Sequence, residues 1–403
     1  MSTKGYGFHL DSTDESYFDM RSSAPDRYVV NNLVGNSNFG GYVTNAVKFN
    51  VVYGPALPDV LTRYTGYTGR PALPPKWAFA PWMSSDIWHT GGEVRYTISK
   101  YRALGIPGSV FVFDSPWEVS YNDLTWNMTQ FGSGGTYEGT NYAGFTSVTD
   151  MMTFFRTNGF YTVCWFTPFI NTDSSCCGEV SGQNLGQSPN YAEGAASNYF
   201  ARASANGSPL VVNWWKGTGS PVDFTNPNAK QWFQNQLSSL LATSQSGGYN
   251  VIGGFKTDDG ETGNGSNTYI PTNAVYFDGR TGVEMRNGYC VEYHKSVWNV
   301  LGTNGVLFAR SGFVGSQAYP GYWAGDNEPN FGDANGLPSV VVAGLSSAMS
   351  GFSIWASDVG GYQNSNPSSA RTNLFMRWAQ FGAFSPLMQM HRQVDTSTLL
   401  QFP

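Results

Sequence analysis

The residues best suited to chemistry lie in Gly253-Gly-Phe-Lys-Thr-Asp-Asp-Gly-Glu261. An apolar run from Tyr249 to Phe255 reads as a buried strand that breaks into Lys256, Thr257, Asp258, Asp259 and Glu261, with glycines on both sides. A charge cluster at the end of a buried strand is where barrel enzymes place reactive groups. Farther along, Leu307-Phe-Ala-Arg-Ser-Gly-Phe and Gly321-Tyr-Trp-Ala-Gly-Asp326 bring an arginine and an aspartate to the ends of short apolar runs. Two carboxylates on separate strand ends can divide nucleophilic attack and proton transfer between them. A single Asp-Gly or Gly-Asp more commonly marks a turn, so the order of the pieces carries the argument.

The elements that must position these groups alternate in type. Phe79-Ala-Pro-Trp-Met reads as a first strand and Gly91 to Leu104 as the helix after it. Ser109-Val-Phe-Val-Phe is a second strand ending on Asp114, and Tyr161-Thr-Val-Cys-Trp-Phe-Thr a third; the run at Tyr249 is the fourth. Strands then follow at Val306 to Arg310, Tyr322-Trp, Phe352-Ser-Ile-Trp and Pro386 to Met390. Helices are expected at 148–157, 228–243, 284–301, 338–349 and 370–381, with long polar and aromatic insertions at 115–146 and 171–219. This pattern predicts an α/β chain built as a (β/α)8 TIM barrel. An open doubly wound sheet has the same alternation, but no GxGxxG or GxxxxGK[ST] follows the first strand. The barrel is preferred because polar or aromatic residues recur at the strand ends: Asp114, Trp165, Asp258, Arg310, Asp326, Asp358 and His391. A barrel brings them to one mouth, whereas an open sheet spreads them along a line.

Before the barrel, Tyr6 to Leu10, Tyr28 to Val34 and Val47 to Tyr53 read as short strands of a partial β-sandwich remnant, residues 1–60. A helical segment and a proline-rich connector, residues 61–75, lead into a barrel spanning 76–403. The chain ends twelve residues after His391, so the expectation is a partial chain whose last barrel helix is missing and whose apolar flank is uncovered.

Composition narrows the partners. Charged residues make up 12% of the 403 and aromatics 16%, with 48 glycines and 21 prolines, which describes a loop-rich, aromatic-rich globular protein. The net charge of -6, with Lys and Arg scattered singly, provides no basic stripe for nucleic acid. No apolar run approaches the length needed to span a bilayer, and Met1 to Leu10 lack the features of a signal peptide. The spacing of Cys164, Cys176, Cys177 and Cys290 reveals neither a disulfide framework nor a CxxC metal site, and His9, His89, His294 and His391 show no metal spacing. Abundant Trp, Tyr, Asn and Asp suit sugar recognition, because aromatic faces pack on pyranose rings and carboxylates bind hydroxyls.

With these motifs assembled, the chain resembles glycoside hydrolase family 31, the retaining α-glycosidases that include α-glucosidases and α-xylosidases. The resemblance runs from about Leu61 to His391 and rests on an ordered set of phrases. These are Gly69-Arg-Pro-Ala-Leu-Pro-Pro-Lys-Trp, Phe113-Asp-Ser-Pro-Trp117, Val222-Asp-Phe-Thr-Asn-Pro-Asn, Phe255-Lys-Thr-Asp-Asp-Gly-Glu, Phe308-Ala-Arg-Ser with Trp323-Ala-Gly-Asp, Ser357-Asp-Val-Gly-Gly-Tyr and Met390-His-Arg. The nucleophile phrase departs from the α-xylosidase-like form at Asp259, where an aromatic or methionine is common.

The resemblance implies a retaining α-glycoside hydrolase that passes through a covalent glycosyl-aspartate, with an oligosaccharide or α-glycoside as partner and no metal or organic cofactor. Asp258 is expected to be the nucleophile and Asp326 the general acid and later base, an assignment that requires environments pushing their pKa values apart. Asp259 and Glu261 compete for the nucleophile role, but period-two alternation, if the strand continues that far, sends Asp259 to the opposite side as an orienting or structural carboxylate. Lys256 and Arg310 are expected to keep Asp258 ionised, or to make ordinary salt bridges. Asp114 and His391 are candidates for sugar hydroxyls; Trp82, Trp165, Trp323 and Trp355 are candidates for aromatic walls, with Trp355 equally suited to barrel filling. Asp358 is expected either to bind substrate or to orient Arg310. A transglycosidase sharing the first half-reaction and a catalytically silent carbohydrate-binding barrel are the alternatives.

Overall fold

A computed structural model describes residues 1–13, 16–20, 22–24, 27–32, 47–261, 270–363 and 370–391. Eight parallel strands form its centre: β1 (Trp82–Ser85), β2 (Val110–Phe113), β3 (Tyr161–Phe166), β4 (Ile252–Thr257), β5 (Val306–Ala309), β6 (Tyr322–Trp323), β7 (Trp355–Ala356) and β8 (Gln389–Met390). Each pairs with the next in sequence, and β8 returns to β1 through Gln389 opposite Trp82. A bridge between Asp358 and Gln389 joins β7 to β8, so the ring closes and the open-sheet alternative falls.

Alternation along the strands decides what lines the ring. Val110 and Val112 of β2, Val163 of β3 and Val306 and Phe308 of β5 belong to one inner cluster with Trp82, Trp323 and Leu387. Their neighbours Phe111, Phe113, Cys164, Phe166, Phe255 and Leu307 pack outward against the helical layer. Continuing the inner series by two residues gives Asp114, Trp165, Lys256 then Asp258, and Arg310. The interior is therefore apolar at depth and charged at the mouth.

The longer helices that follow barrel strands are α1 (Gly91–Ala103), α2 (Val148–Thr157), α3 (Pro227–Thr243), α4 (Gly288–Leu301), α5 (Leu337–Met349) and α6 (Ala370–Ala383). Their starts are set by local chemistry: Thr90, Ser147 and Asn226 accept hydrogen bonds from the first-turn amides of α1, α2 and α3, and Pro227 occupies a first-turn position in α3. The phrase beginning Val222-Asp thus builds a helix start, and Asp223 fastens it by accepting from Thr225 and from the amide of Phe277. Between β5 and β6 stands only a 3-10 turn, Ser316–Ala318.

Several strands differ from expectation; the seventh is Trp355–Ala356 rather than Phe352 to Trp355, and the eighth is confined to Gln389–Met390. The first begins at Trp82 rather than Phe79, because Pro81 has no amide proton and Lys76–Phe79 coil into a 3-10 helix. Tyr249–Asn250 leave the fourth strand and pair with Gln245–Ser246 as a small hairpin. Ahead of the barrel, Tyr6–Leu10 pairs with Phe49–Tyr53 and Ser16–Asp19 with Val29–Asn32, followed by a helix at Leu57–Thr68. Leu33, Val34, Arg392 and the residues after it lie outside the described residues. No helix among the described residues is long and apolar enough to cross a membrane.

Candidate active site

Asp258 follows β4 directly and is 7% exposed. Its Oδ1 lies 2.9 Å from an Arg310 nitrogen and accepts from the amide of Asp259 at 2.9 Å. Its Oδ2 accepts from the Trp165 indole at 2.9 Å, and the Trp165 carbonyl in turn accepts from the Trp117 indole at 2.7 Å. A guanidinium from β5, an indole from β3 and a local amide therefore fix one carboxyl group from three directions. All three are donors, which is what an acceptor-only carboxylate needs.

Asp259 does not point away. The strand stops at Thr257 and Asp259 takes a left-handed φ of 53°, so strand alternation no longer governs it. Its buried carboxylate meets the same Arg310 and accepts from the Trp215 indole at 3.1 Å. Burial raises its pKa, with Arg310 opposing. Glu261 completes the clamp, its oxygens 2.8 and 3.0 Å from Arg310 nitrogens. Asp259 and Glu261 act on Asp258 through the arginine they share.

Asp326 comes from the segment after β6 and is exposed at the mouth. Protein surrounds the carboxyl closely enough that desolvation raises its pKa, and the charge of Asp258 raises it further, against Arg310 and Lys256. No described residue donates a hydrogen bond to this carboxyl; only its backbone carbonyl is held, by Asn335 and Gln363.

The opposite wall is a buried polar group. Lys256 Nζ donates to Asp114 at 2.7 Å, contacts His391 Nε2 at 3.3 Å and lies 4.8 Å from the Trp323 ring centroid. Because an ammonium only donates, His391 Nε2 is the acceptor and Nδ1 carries the proton toward Ser84 Oγ at 2.8 Å. Burial, then the Lys256 charge, push the His391 pKa well down and leave a neutral ring. Tyr362 stacks on that ring at 5.0 Å and bonds Asp86 at 3.1 Å. Asp86, Asp114 and His391 offer ligand atoms within 4.8 Å of one another, but the Lys256 ammonium already lies between Asp114 and His391 and supplies the positive charge there.

The expectations for individual residues divide. Asp114, Trp165, Lys256, Asp258, Arg310, Trp323, Asp326 and His391 are gathered at this end of the barrel. Lys256 pairs directly with Asp114 rather than Asp258, and Trp165 holds the nucleophile candidate instead of forming an open wall. Trp82 is a correction: fully buried, packed on Phe308 at 4.9 Å and bonded to the Ala78 carbonyl, it fills the barrel below the mouth. Trp355 faces outward onto Gly344 of α5. Asp358 does not orient Arg310; its Oδ1 accepts from Gln389 at 2.7 Å at the β7 to β8 closure, and burial raises its pKa to about 8.

Sequence reasoning missed Asp86, Trp117 and Trp215. Asp86 lies one residue beyond β1, so the signal of a polar residue at a strand end was present. Trp215 sits in an insertion, where spacing offers no cue.

A closed parallel barrel gathers these acidic strand ends at one mouth, and sequence comparison identifies its family. The chain belongs to glycoside hydrolase family 31: the sequence model described as "Glycosyl hydrolases family 31 TIM-barrel domain" matches residues 71–400. It is 29% identical to an isomaltosyltransferase of Sporosarcina globispora, over 99% of this chain and 35% of that protein. It is 28% identical to an alpha-xylosidase of Emericella nidulans, over 97% of this chain and 44% of that protein. The solved cycloalternan-degrading enzyme of Trueperella pyogenes superposes with a TM-score of 0.78 at 26% identity, over 98% of this chain and 54% of that one. The chain thus spans about a third to a half of the length of these relatives.

Proposed function

We propose that this chain, as the catalytic portion 76–403 following a connector (61–75) and a partial β domain (1–60), cleaves α-linked gluco-oligosaccharides with retention of configuration. Asp258 attacks the anomeric carbon while Asp326 gives its proton to the departing oxygen, so the carbon to oxygen bond breaks as an ester to Asp258 forms. A water, or a sugar hydroxyl, then gives its proton to Asp326 and attacks the same carbon, which frees Asp258. Asp114, Lys256 and His391 bind the hydroxyls of the sugar in the pocket, and Trp323 backs them.

The observation that carries this reading is the contrast between a carboxylate fixed by Arg310, Trp165 and a backbone amide and a second, solvent-accessible carboxyl whose pKa is raised. One carboxylate held by three donors and a second carboxyl biased toward its protonated form suit the two roles of double displacement. The glucosyl preference draws on relatives named for isomaltosyl and cycloalternan chemistry and on the small Ser115 and Pro116 beside the strand-two end.

The test is a panel of aryl α-glycosides followed by NMR. Aryl alcohol release lost in both Asp258→Ala and Asp326→Ala, with the α-anomer formed first, supports the proposal. An initial β-anomer rejects retention, and sugar binding without turnover identifies a silent binding barrel.

A further inference from the structure

Cys176 and Cys177, adjacent in sequence, are joined by a disulfide in the insertion between β3 and α3. Loop-closure stabilisation grows with the length of chain enclosed, and this bridge encloses almost none. Its value to folding through that route is therefore small. It also places an exposed Cys176, a residue type usually buried, on the surface.

Its surroundings connect it to the site. Cys177 Sγ lies 3.7 Å from the carbonyl oxygen of Trp215. The Tyr121 hydroxyl donates to the Cys177 carbonyl at 3.4 Å and to Glu179 at 2.9 Å, and Glu179 pairs with Lys216. Lys216 lies 4.6 Å from the Trp215 ring centroid. Trp215 remains 39% exposed while its indole nitrogen reaches Asp259, next to Asp258. The disulfide therefore neighbours the backbone of a partly exposed tryptophan whose indole nitrogen bonds the residue next to the proposed nucleophile. The Asp114, Lys256 and His391 group is buried, whereas Trp215 and Cys176 reach the surface, so that group occupies the deep end.

The geometry points to a specificity-determining role: the Cys176–Cys177 disulfide, with Trp215, forms a platform for the sugar ring on the leaving-group side of the scissile bond. Bonded sulfurs have no hydrogen-bond donor and are polarisable, and an indole face is apolar, so both suit the C–H face of a pyranose. The adjacent Lys216 and Glu179 offer a donor and an acceptor to hydroxyls at its edge. This inference rests on the glycosidase reading and adds the residues that select what leaves or accepts.

The experiment compares isomaltose, whose leaving sugar would meet the platform, with α-glucosyl fluoride, whose leaving fluoride cannot. The enzyme is assayed as the wild type, as the wild type reduced by a water-soluble phosphine and then reoxidised, and as C176S/C177S. The expected result is a KM for isomaltose raised about 10-fold in the reduced protein and in C176S/C177S, recovery on reoxidation, and fluoride turnover within about two-fold of the wild type. Equal KM values for isomaltose, or parallel losses on both substrates, would overturn the platform. Absence of wild-type turnover on both substrates would instead reject the glycosidase reading.

Discussion

The corner after β4 and the segment after β6 each present one aspartate to the same mouth, and they treat it in opposite ways. Asp258 is buried and tied to a guanidinium, an indole and an amide. Asp326 is exposed, and no described residue donates to its carboxyl. The first arrangement fixes an atom in place, as attack on a carbon requires. The second leaves a carboxyl free to rotate and to exchange its proton, while desolvation and the nearby Asp258 charge favour the acid form. In the proposed mechanism the division of roles follows from how each acid is held, since the two side chains are identical.

Substitutions can break that contrast. The largest effect is expected for Asp258→Ala, with turnover of α-glucosyl fluoride and isomaltose falling on the order of 10^4-fold or more, because no covalent ester can form. Steady-state kinetics on both substrates checks this, and a loss confined to isomaltose would assign Asp258 a role in leaving-group departure. Asp326→Ala is expected to lose about 10^2- to 10^4-fold on isomaltose and far less at the glycosylation step with the fluoride, which departs without a proton. In the intact protein the basic limb of kcat/KM should lie above an ordinary aspartate pKa. Asp258→Asn should move the Asp326 titration downward, as read by carboxyl carbon NMR, because it removes a like charge.

A smaller change sharpens the contrast. Trp165→Phe deletes one donor to Asp258 but keeps an aromatic ring, and the loss of a charged hydrogen bond of about 1.5–3 kcal/mol should lower kcat by roughly ten- to a hundred-fold. An unchanged kcat would show that Arg310 and the amide suffice.

The smallest effect concerns Asp358, which resembles Asp326 in its raised pKa but is fully buried. A folded pKa of about 8 lies above the unfolded value, so stability from its protonated form is full at low pH and is lost as pH rises toward 8. Asp358→Asn cannot ionise. Its melting temperature relative to the wild type should therefore climb between about pH 4 and pH 8 and level off above. A pH-independent difference would show that Asp358 ionises as readily when folded.

Much of this was legible in the chain. Runs such as Val110 to Asp114 and Val306 to Arg310 encode an inner face that turns from apolar to charged, so both the barrel and the strand-end residues could be read from them. Individual orientations were harder. Trp82 satisfies a strand pattern equally well below the mouth or at it, and only its depth on a short strand decides. Asp259 escaped the alternation rule because the chain leaves the strand one residue earlier and turns left-handed. Trp215 and the Cys176–Cys177 bridge reach the site from an insertion, where no periodic signal reports on long-range contact. Lys256 was visible as a charge at the right place, yet its partner Asp114 is 142 residues away, and ring closure alone brings them together.

The most direct test of the central claim is trapping with 5-fluoro-α-glucosyl fluoride, followed by proteolysis and mass spectrometry of the labelled peptide. The account predicts one glycosyl group esterified to Asp258, absent in Asp258→Ala. A label on Asp259 or Glu261, or sustained turnover of the reagent by Asp258→Ala, would contradict it.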